Sequence, residues 1–369
     1  MWSTGSLVIL LALFVAGGLL YLRIGPSPGN LSTPYSATRQ PGLPSSPSLV
    51  GRVAVSPRLA FNCTLPVTAY AQRVRIGLPG GSVNLHGPQS VERNGPGAST
   101  YINGRWLPVP VSWVSPDGSS YASMAAVPNS ADRQQVLLTR IQSGTSQVVW
   151  NGAGRPAILG WASGGLYFLL QTQASAVSGD LWVVDPSRPG AATRVGPGSQ
   201  TGDVGHAVVA FTREARIGGR AAWDIAHDPV SNQDRVLRMD LGTGGVSPWY
   251  VGPANTPIFI LGLDREGHPV LGLYNSDTSW TRSLKLLTGP NQATSISDSL
   301  GTTHFASALA DSHGIWLGSP GSLWLYASGS LFKVADLPVG AVGAQSPMRI
   351  ENASTADSLP PPVVAGPCS

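Results

Sequence analysis

Between residues 111 and 338, short runs of β-branched, aromatic and aliphatic residues alternate with glycine-containing turns, and no helical period persists. Within that span a pattern recurs. A glycine turn followed by a short apolar run appears at Gly118 (DGSSYASM), Gly165 (GGLYFLL), Gly219 (GGRAAWDIA), Gly267 (EGHPVLGL) and Gly314 (HGIWLGS), at spacings of 47, 54, 48 and 47 residues. Each turn is preceded by a small or apolar strand candidate (VSWVS, AILGWA, AVVAF, IFILGL and FASALA) and followed by a hairpin candidate such as QVLLTRIQSGTSQVVW or SLWLYASGSLFKVA. Four strands in a unit of about 40 to 50 residues is the period of a propeller blade. A lone four-stranded sheet cannot bury both faces, so each packs on its neighbours, and closing the ring removes the exposed ends of the array.

Five such units occupy residues 111–338, and residues 57–110 carry strand signals for a sixth (FNCTLPVTAY, RVRIGLPGGSVNL, YINGRWLPVP). The segment PPVVAGPC near the C-terminus can lend a strand to the N-terminal unit. The expected fold is therefore an all-β, six-bladed β-propeller, with seven blades as the alternative count, preceded by one N-terminal transmembrane helix.

That helix is read from residues 1–24. Residues 1–22 carry no charged side chain, and residues 7–22 (LVILLALFVAGGLLYL) are almost wholly apolar, just long enough to cross a bilayer with their flanks. The small residues around Ala16, Gly17 and Gly18 meet the pattern of a cleavage site poorly, so a retained signal anchor is expected. Residues 25–51, rich in Pro, Ser and Gly, read as a flexible linker, and residues 52–369 as the propeller. Arg23, following the apolar segment, by itself favours a cytoplasmic C-terminal side.

The two cysteines, Cys63 and Cys368, argue the other way. They stand at the two ends of a circular fold, where the ends meet. No CxxC spacing or neighbouring His suggests a metal, so a disulfide is expected, with two unpaired thiols as the alternative. Such a bond persists in oxidising compartments, which places the propeller on the extracytoplasmic side of the cell membrane.

Charge narrows the function classes. Charged residues are 11% of the chain, under half the usual share of about 25%. The net charge of +4 comes from arginines scattered singly, whereas nucleic-acid binders cluster their basic residues, so no nucleic acid is expected. Tryptophans spread one or two per unit read as packing between blades.

At SPDGSSYA (residues 115–122) the chain resembles the repeat of TolB-type and WD40-like bacterial propellers. At GIWLGSPGSLWLY (residues 314–326) it is similar to blades of sensor and two-component-regulator propellers. The GH and WD dipeptides of most WD40 blades are missing. The resemblance implies the architecture and a membrane-anchored propeller, and implies no ligand.

Motifs for chemistry are sparse. Neither Lys285 nor Lys333 lies in a glycine-rich phosphate loop, and GxSxG and HExxH are absent, so no catalytic residue and no organic cofactor is assigned. The densest polar cluster is Asp224, His227, Asp228 and Asp234, whose three carboxylates could contribute to a Ca²⁺ site, against the plainer reading of a polar turn between strands. SDTSW (residues 276–280) is a partial echo of the Asp-box turn of sialidase-like propellers. Asn30, Asn62 and Asn352 begin N-x-S/T triplets of a kind that arises often by chance. The leading expectation is a binding or scaffolding module for a protein, peptide or glycan outside the cytoplasm. The rivals are an extracytoplasmic lyase or hydrolase with an axial polar site, and a sensor ectodomain.

Overall fold

The computed structural model describes residues 51–69, 72–88, 99–128, 130, 133–171, 179–195, 202–204, 207–209, 211–275, 281–298, 300, 303–337 and 361–369. The anchor, the linker up to residue 50, SDTSW, Asn30 and Asn352 lie outside them. Among the described residues no helix is long and apolar enough to cross a membrane.

The recurrent turns organise the chain as the repeat implied. Gly118, Gly165, Gly219, Gly267 and Gly314 all take positive φ, which an L side chain rarely adopts. At Gly165 a Cβ would lie 2.3 Å from the Val184 carbonyl oxygen, and at Gly314 2.3 Å from that of Tyr326. These two glycines let the neighbouring strand come close.

Each turn leads into a strand of an antiparallel sheet. The second sheet runs Ser120–Ala126, Arg133–Arg140, Ser146–Ala153, and the third Arg155–Ala162, Gly165–Gln171, Asp180–Val184, Thr193–Arg194. The fourth runs Arg216–Gly218, Ala221–Asp228, Gln233–Asp240, Val246–Val251, and the fifth Ile258–Leu263, Pro269–Tyr274, Thr281–Gly289, Gln292–Ser297. The sixth runs Ser307–Asp311, Gly314–Ser319, Ser322–Ala327, Ser330–Asp336, and takes Ala54–Val55 on its outer edge. The first sheet joins both ends of the folded part, in the order Gly51–Arg52, Ser82–Pro88, Gln72–Leu78, Cys63–Ala69, Val363–Val364.

Apolar clusters show that the series closes. Leu159, Leu169 and Leu181 of the third sheet pack with Ala222, Leu237 and Met239 of the fourth. Trp223 and Val236 of the fourth meet Leu271 and Leu273 of the fifth, and Val270 and Leu284 meet Ile315 and Leu317 of the sixth. The second and third share Val136, Val149, Leu166 and Phe168. Trp316, Leu325 and Val334 of the sixth then pack against Leu65, Val67 and Ile76 of the first. A meander of sheets stacked in succession from the second to the sixth, with the sixth returned to the first, has the arrangement of a β-propeller.

Both chain ends tie this closure. Val363 pairs with Thr68 and Val364 with Val67. Thr64 N–H donates to the Ser369 carbonyl at 2.7 Å. Cys63 and Cys368 are bonded as a disulfide, with Cα atoms 5.5 Å apart.

Three expected elements differ. VSWVS is a 3-10 turn at Val111–Trp113 followed by a single bridge from Val114 to Tyr121. Pro110 and Pro116 bracket it, and proline cannot donate to a ladder. AVVAF precedes the Gly219 turn but does not pair across it: Ala207–Val209 pairs with Gly202–Val204, while Arg216–Gly218 pairs across the turn. A tight turn selects the residues beside it as partners, whatever their apolarity. YINGRW is not a strand of the first sheet; Thr100–Ile102 and Arg105–Leu107 form a separate hairpin between the first and second sheets.

Candidate functional site

The residues singled out in the fourth sheet fall on two faces. Ala221–Asp228 runs antiparallel to Gln233–Asp240, with His227 opposite Asp234. Alternation puts Asp224 and Asp228 on one face and His227 on the other. Each carboxylate has a local task. Asp224, buried, accepts from Thr212 N–H at 2.5 Å and from Ile225 N–H at 2.8 Å. Asp228 accepts from Arg235 at 2.7 Å and Val230 N–H at 2.9 Å. Asp234 joins His227 Nδ1 at 2.9 Å and accepts from Ile258 N–H at 2.8 Å, tying the fourth sheet to the fifth.

The two buried aspartates titrate in opposite directions. Burial raises Asp224 to about 6, against the pull of the N–H groups of Thr212 and Ile225. Burial also works against the Asp228 charge, but Arg235, Ser231 and Val230 outweigh it and hold that carboxyl well below its ordinary value.

A raised folded-state value means that the folded chain takes up a proton at Asp224 before the unfolded chain does. This contribution to stability grows as pH falls from about 6 towards 4 and is lost on return to neutrality. Relative to Asp224→Asn, the wild type should gain about 2 kcal/mol between about pH 7 and about pH 4.5. Paired urea melts at the two pH values measure it; equal shifts in both proteins would refute the assignment.

Among the described residues, a group that could jointly hold a cation lies elsewhere, in the fifth sheet's first turn. Ligand atoms of Asp264, Glu266 and His268 lie within 4.8 Å of one another. Asp264 Oδ1 already accepts the backbone N–H groups of Glu266 and His268, at 2.9 and 2.7 Å. Two carboxylates and an imidazole fall short of the six to eight oxygens that calcium takes.

A concavity of about 1220 Å³ lies at the turn end of the second and third sheets. Its lining includes Asn103, Arg105, Asp117, Arg140, Gln142 and Trp161. Asp117 is brought down to about 2, first by the Ser115 hydroxyl at 2.6 Å and then by the N–H and hydroxyl of Ser119, so it stays ionised. Trp161 donates its indole N–H to the Trp113 carbonyl at 3.0 Å, which fixes the ring. Arg105 is anchored on the Ile141 carbonyl at 2.8 Å. The cleft thus offers fixed donors and acceptors beside an aromatic ring, a surface suited to polar ligands rich in hydroxyl or amide groups.

The sequence reads this region as strands, a turn at SPDGSSYA and a packing tryptophan at Trp161, and none of these as a site. Asn103 and Arg105 sit on the inserted hairpin and Trp161 on the third sheet. Only ring packing brings these residues together, so no local pattern announces the cleft.

No known family model matches the chain, and no curated protein is similar to it in sequence. Among solved structures it is similar to TolB from Acinetobacter baumannii (12% identity, 76% of this chain and 65% of that one, TM-score 0.39). It is also similar to the β-propeller domain of the Trilobed protease from Pyrococcus furiosus (11% identity, 75% and 86%, TM-score 0.42). A third likeness is to an oligogalacturonate lyase in complex with manganese (12% identity, 73% and 72%, TM-score 0.36). The chain spans just under two thirds of the TolB chain. The likeness is one of fold, and no ligand or activity passes from these proteins to this chain.

Proposed function

We propose that this protein is a six-bladed propeller, anchored in the cell membrane by residues 1–24 and displayed outside the cytoplasm, that binds a protein, peptide or glycan. The observation that carries the binding reading is the polar cleft between the second and third sheets. Its hydroxyl, amide and charged groups surround the pinned Trp161 ring, which favours a glycan among the three partner classes. The Cys63–Cys368 bond supports an oxidising compartment, and the apolar residues 7–22 support the anchor. Six sheets stacked in sequence support six blades over seven.

The test is a glycan and peptide array probed with the detergent-solubilised full chain, followed by titration of the best soluble oligosaccharide. Saturable binding is expected for the wild type, weakened about tenfold or more by Trp161→Ala, since stacking contributes about 1 to 2 kcal/mol. Retention by Trp161→Ala of the full affinity would remove the cleft from the reading.

A further inference from the structure

Residues 361–369 are lodged within the ring rather than laid over it. Pro362, Val364, Ala365, Gly366 and Cys368 are buried. On one side Val363 and Val364 pair with Thr68 and Val67, and Ala365 N–H donates to the Pro66 carbonyl at 2.9 Å. On another, Cys368 N–H donates to Asp311 at 2.8 Å, and Gly318 comes so near that a Cβ there would meet the Pro362 carbonyl oxygen at 1.8 Å. This closing segment joins the first sheet to the sixth, and the Cys63–Cys368 bond fastens its end.

A third neighbour is the hairpin Thr100–Ile102 and Arg105–Leu107. Tyr101 N–H donates to the Ala365 carbonyl at 2.7 Å, and a Cβ at Gly366 would stand 2.4 Å from the Tyr101 carbonyl oxygen. The two backbones thus meet at Tyr101. Arg75 of the first sheet also reaches this residue, 4.8 Å over its ring. A ring face accepts a cation over a range of positions, whereas a backbone hydrogen bond fixes distance and direction. The closing segment therefore sets where Tyr101 stands.

The cleft inherits that placement. Tyr101 pairs with Trp106 and Ile102 with Arg105 across a two-residue turn, Asn103–Gly104, both residues of which take positive φ. So tight a turn carries a shift of one strand into the other. The hairpin delivers Asn103 and Arg105 to the cleft wall, where Asn103 donates to the Gly118 carbonyl at 3.0 Å and Arg105 to that of Ile141 at 2.8 Å.

We propose that residues 361–369 position this wall of the cleft, so that the binding site is complete only once they have closed the ring. Ala365 and Gly366 are positioning residues, which act through Tyr101 on Asn103 and Arg105. The functional half of this inference rests on the cleft reading above. The structural half, the hold of the closing segment on the hairpin, does not. A molecule without these residues, or without the Cys63–Cys368 bond, loses the placement of one wall of the site.

Hydrogen exchange of the full-length protein in detergent, read by mass spectrometry, tests that hold without a ligand. Gly366→Ala pushes on the Tyr101 carbonyl and leaves the disulfide in place. Cys63→Ser with Cys368→Ser frees the end of the segment, and either variant serves if the other does not fold. Gly80→Ala, where a Cβ meets nothing within 4 Å, is the control. Amides of residues 99–107 should exchange about tenfold faster in both variants, the effect of one lost backbone hydrogen bond, while those of the fifth sheet and of the control stay unchanged. Unchanged exchange at residues 99–107 while residues 361–369 loosen overturns the proposal. Equal acceleration in all six sheets also overturns it, because the segment then supports the ring as a whole. Titration of Gly366→Ala with the oligosaccharide selected on the array should show affinity about tenfold weaker than the wild type. Full affinity beside a loosened hairpin overturns the positioning role. An array that yields no ligand retires the cleft reading, and the exchange result still decides the hold of the segment on the hairpin.

Discussion

Replacing Cys63 and Cys368 together by serine should lower the free energy of unfolding by about 5 kcal/mol and the melting temperature by about 10 °C or more. The bond spans a sequence separation of 305 residues, so its loss frees a long loop in the unfolded chain while the folded ring keeps its other contacts. In the chain-entropy account the size of the effect follows from loop length, and about 5 kcal/mol lies at the upper end of such values. Calorimetry of the wild type and the double variant gives the difference directly, and the same melts with reductant should bring the wild type down to the variant. A shift of under about 1 kcal/mol would mean that the unfolded chain already holds these ends together.

Asp311→Ala should be the costliest single polar substitution in the ring, by about 3 to 4 kcal/mol. Asp311 Oδ2 accepts the Trp316 indole N–H and the Cys368 backbone N–H, both at 2.8 Å, and Oδ1 accepts the His313 backbone N–H at 2.8 Å. Removing the carboxylate leaves buried donors with no acceptor, one of them on the fully buried Trp316. The other belongs to the residue that carries the disulfide. Asp311→Ala should therefore also make Cys368 more accessible to reductant, read as faster thiol release at fixed dithiothreitol. Loss of stability with unchanged release would mean that the Cys368 N–H bond adds little to the closure.

The parts of this fold legible in the sequence are those written locally. The five repeat glycines announce positive φ because the turns need it, and the hairpins that follow them carry their own alternation. The cysteines reported ring closure because a circular fold gives them one place to meet. Long-range selection hid the rest. The apolar run at residues 207–211 outweighs Arg216–Gly218 by composition, yet the two residues of the Gly219–Arg220 turn fix which strand pairs with Ala221–Asp228. Asp311 reads as one more turn aspartate, and its role as clamp depends on Cys368 arriving from 57 positions away. The cluster at Asp224, His227, Asp228 and Asp234 was legible as polar, but the pleat divides it between two faces and engages each carboxylate in a separate structural bond. The cleft is assembled from different sheets, so it leaves no motif.

The composite first sheet fixes an order of events during synthesis. Its Cys63–Ala69 strand leaves the ribosome early, and the Val363–Val364 strand that pairs with it follows about 300 residues later. Through that interval the strand has an open backbone edge, and Leu65 and Val67 lack the sixth-sheet residues that bury them. The earliest-made sheet is thus the last to be completed. A nascent chain with this layout must be shielded along that edge until its end arrives, and aggregation of truncated products should begin there.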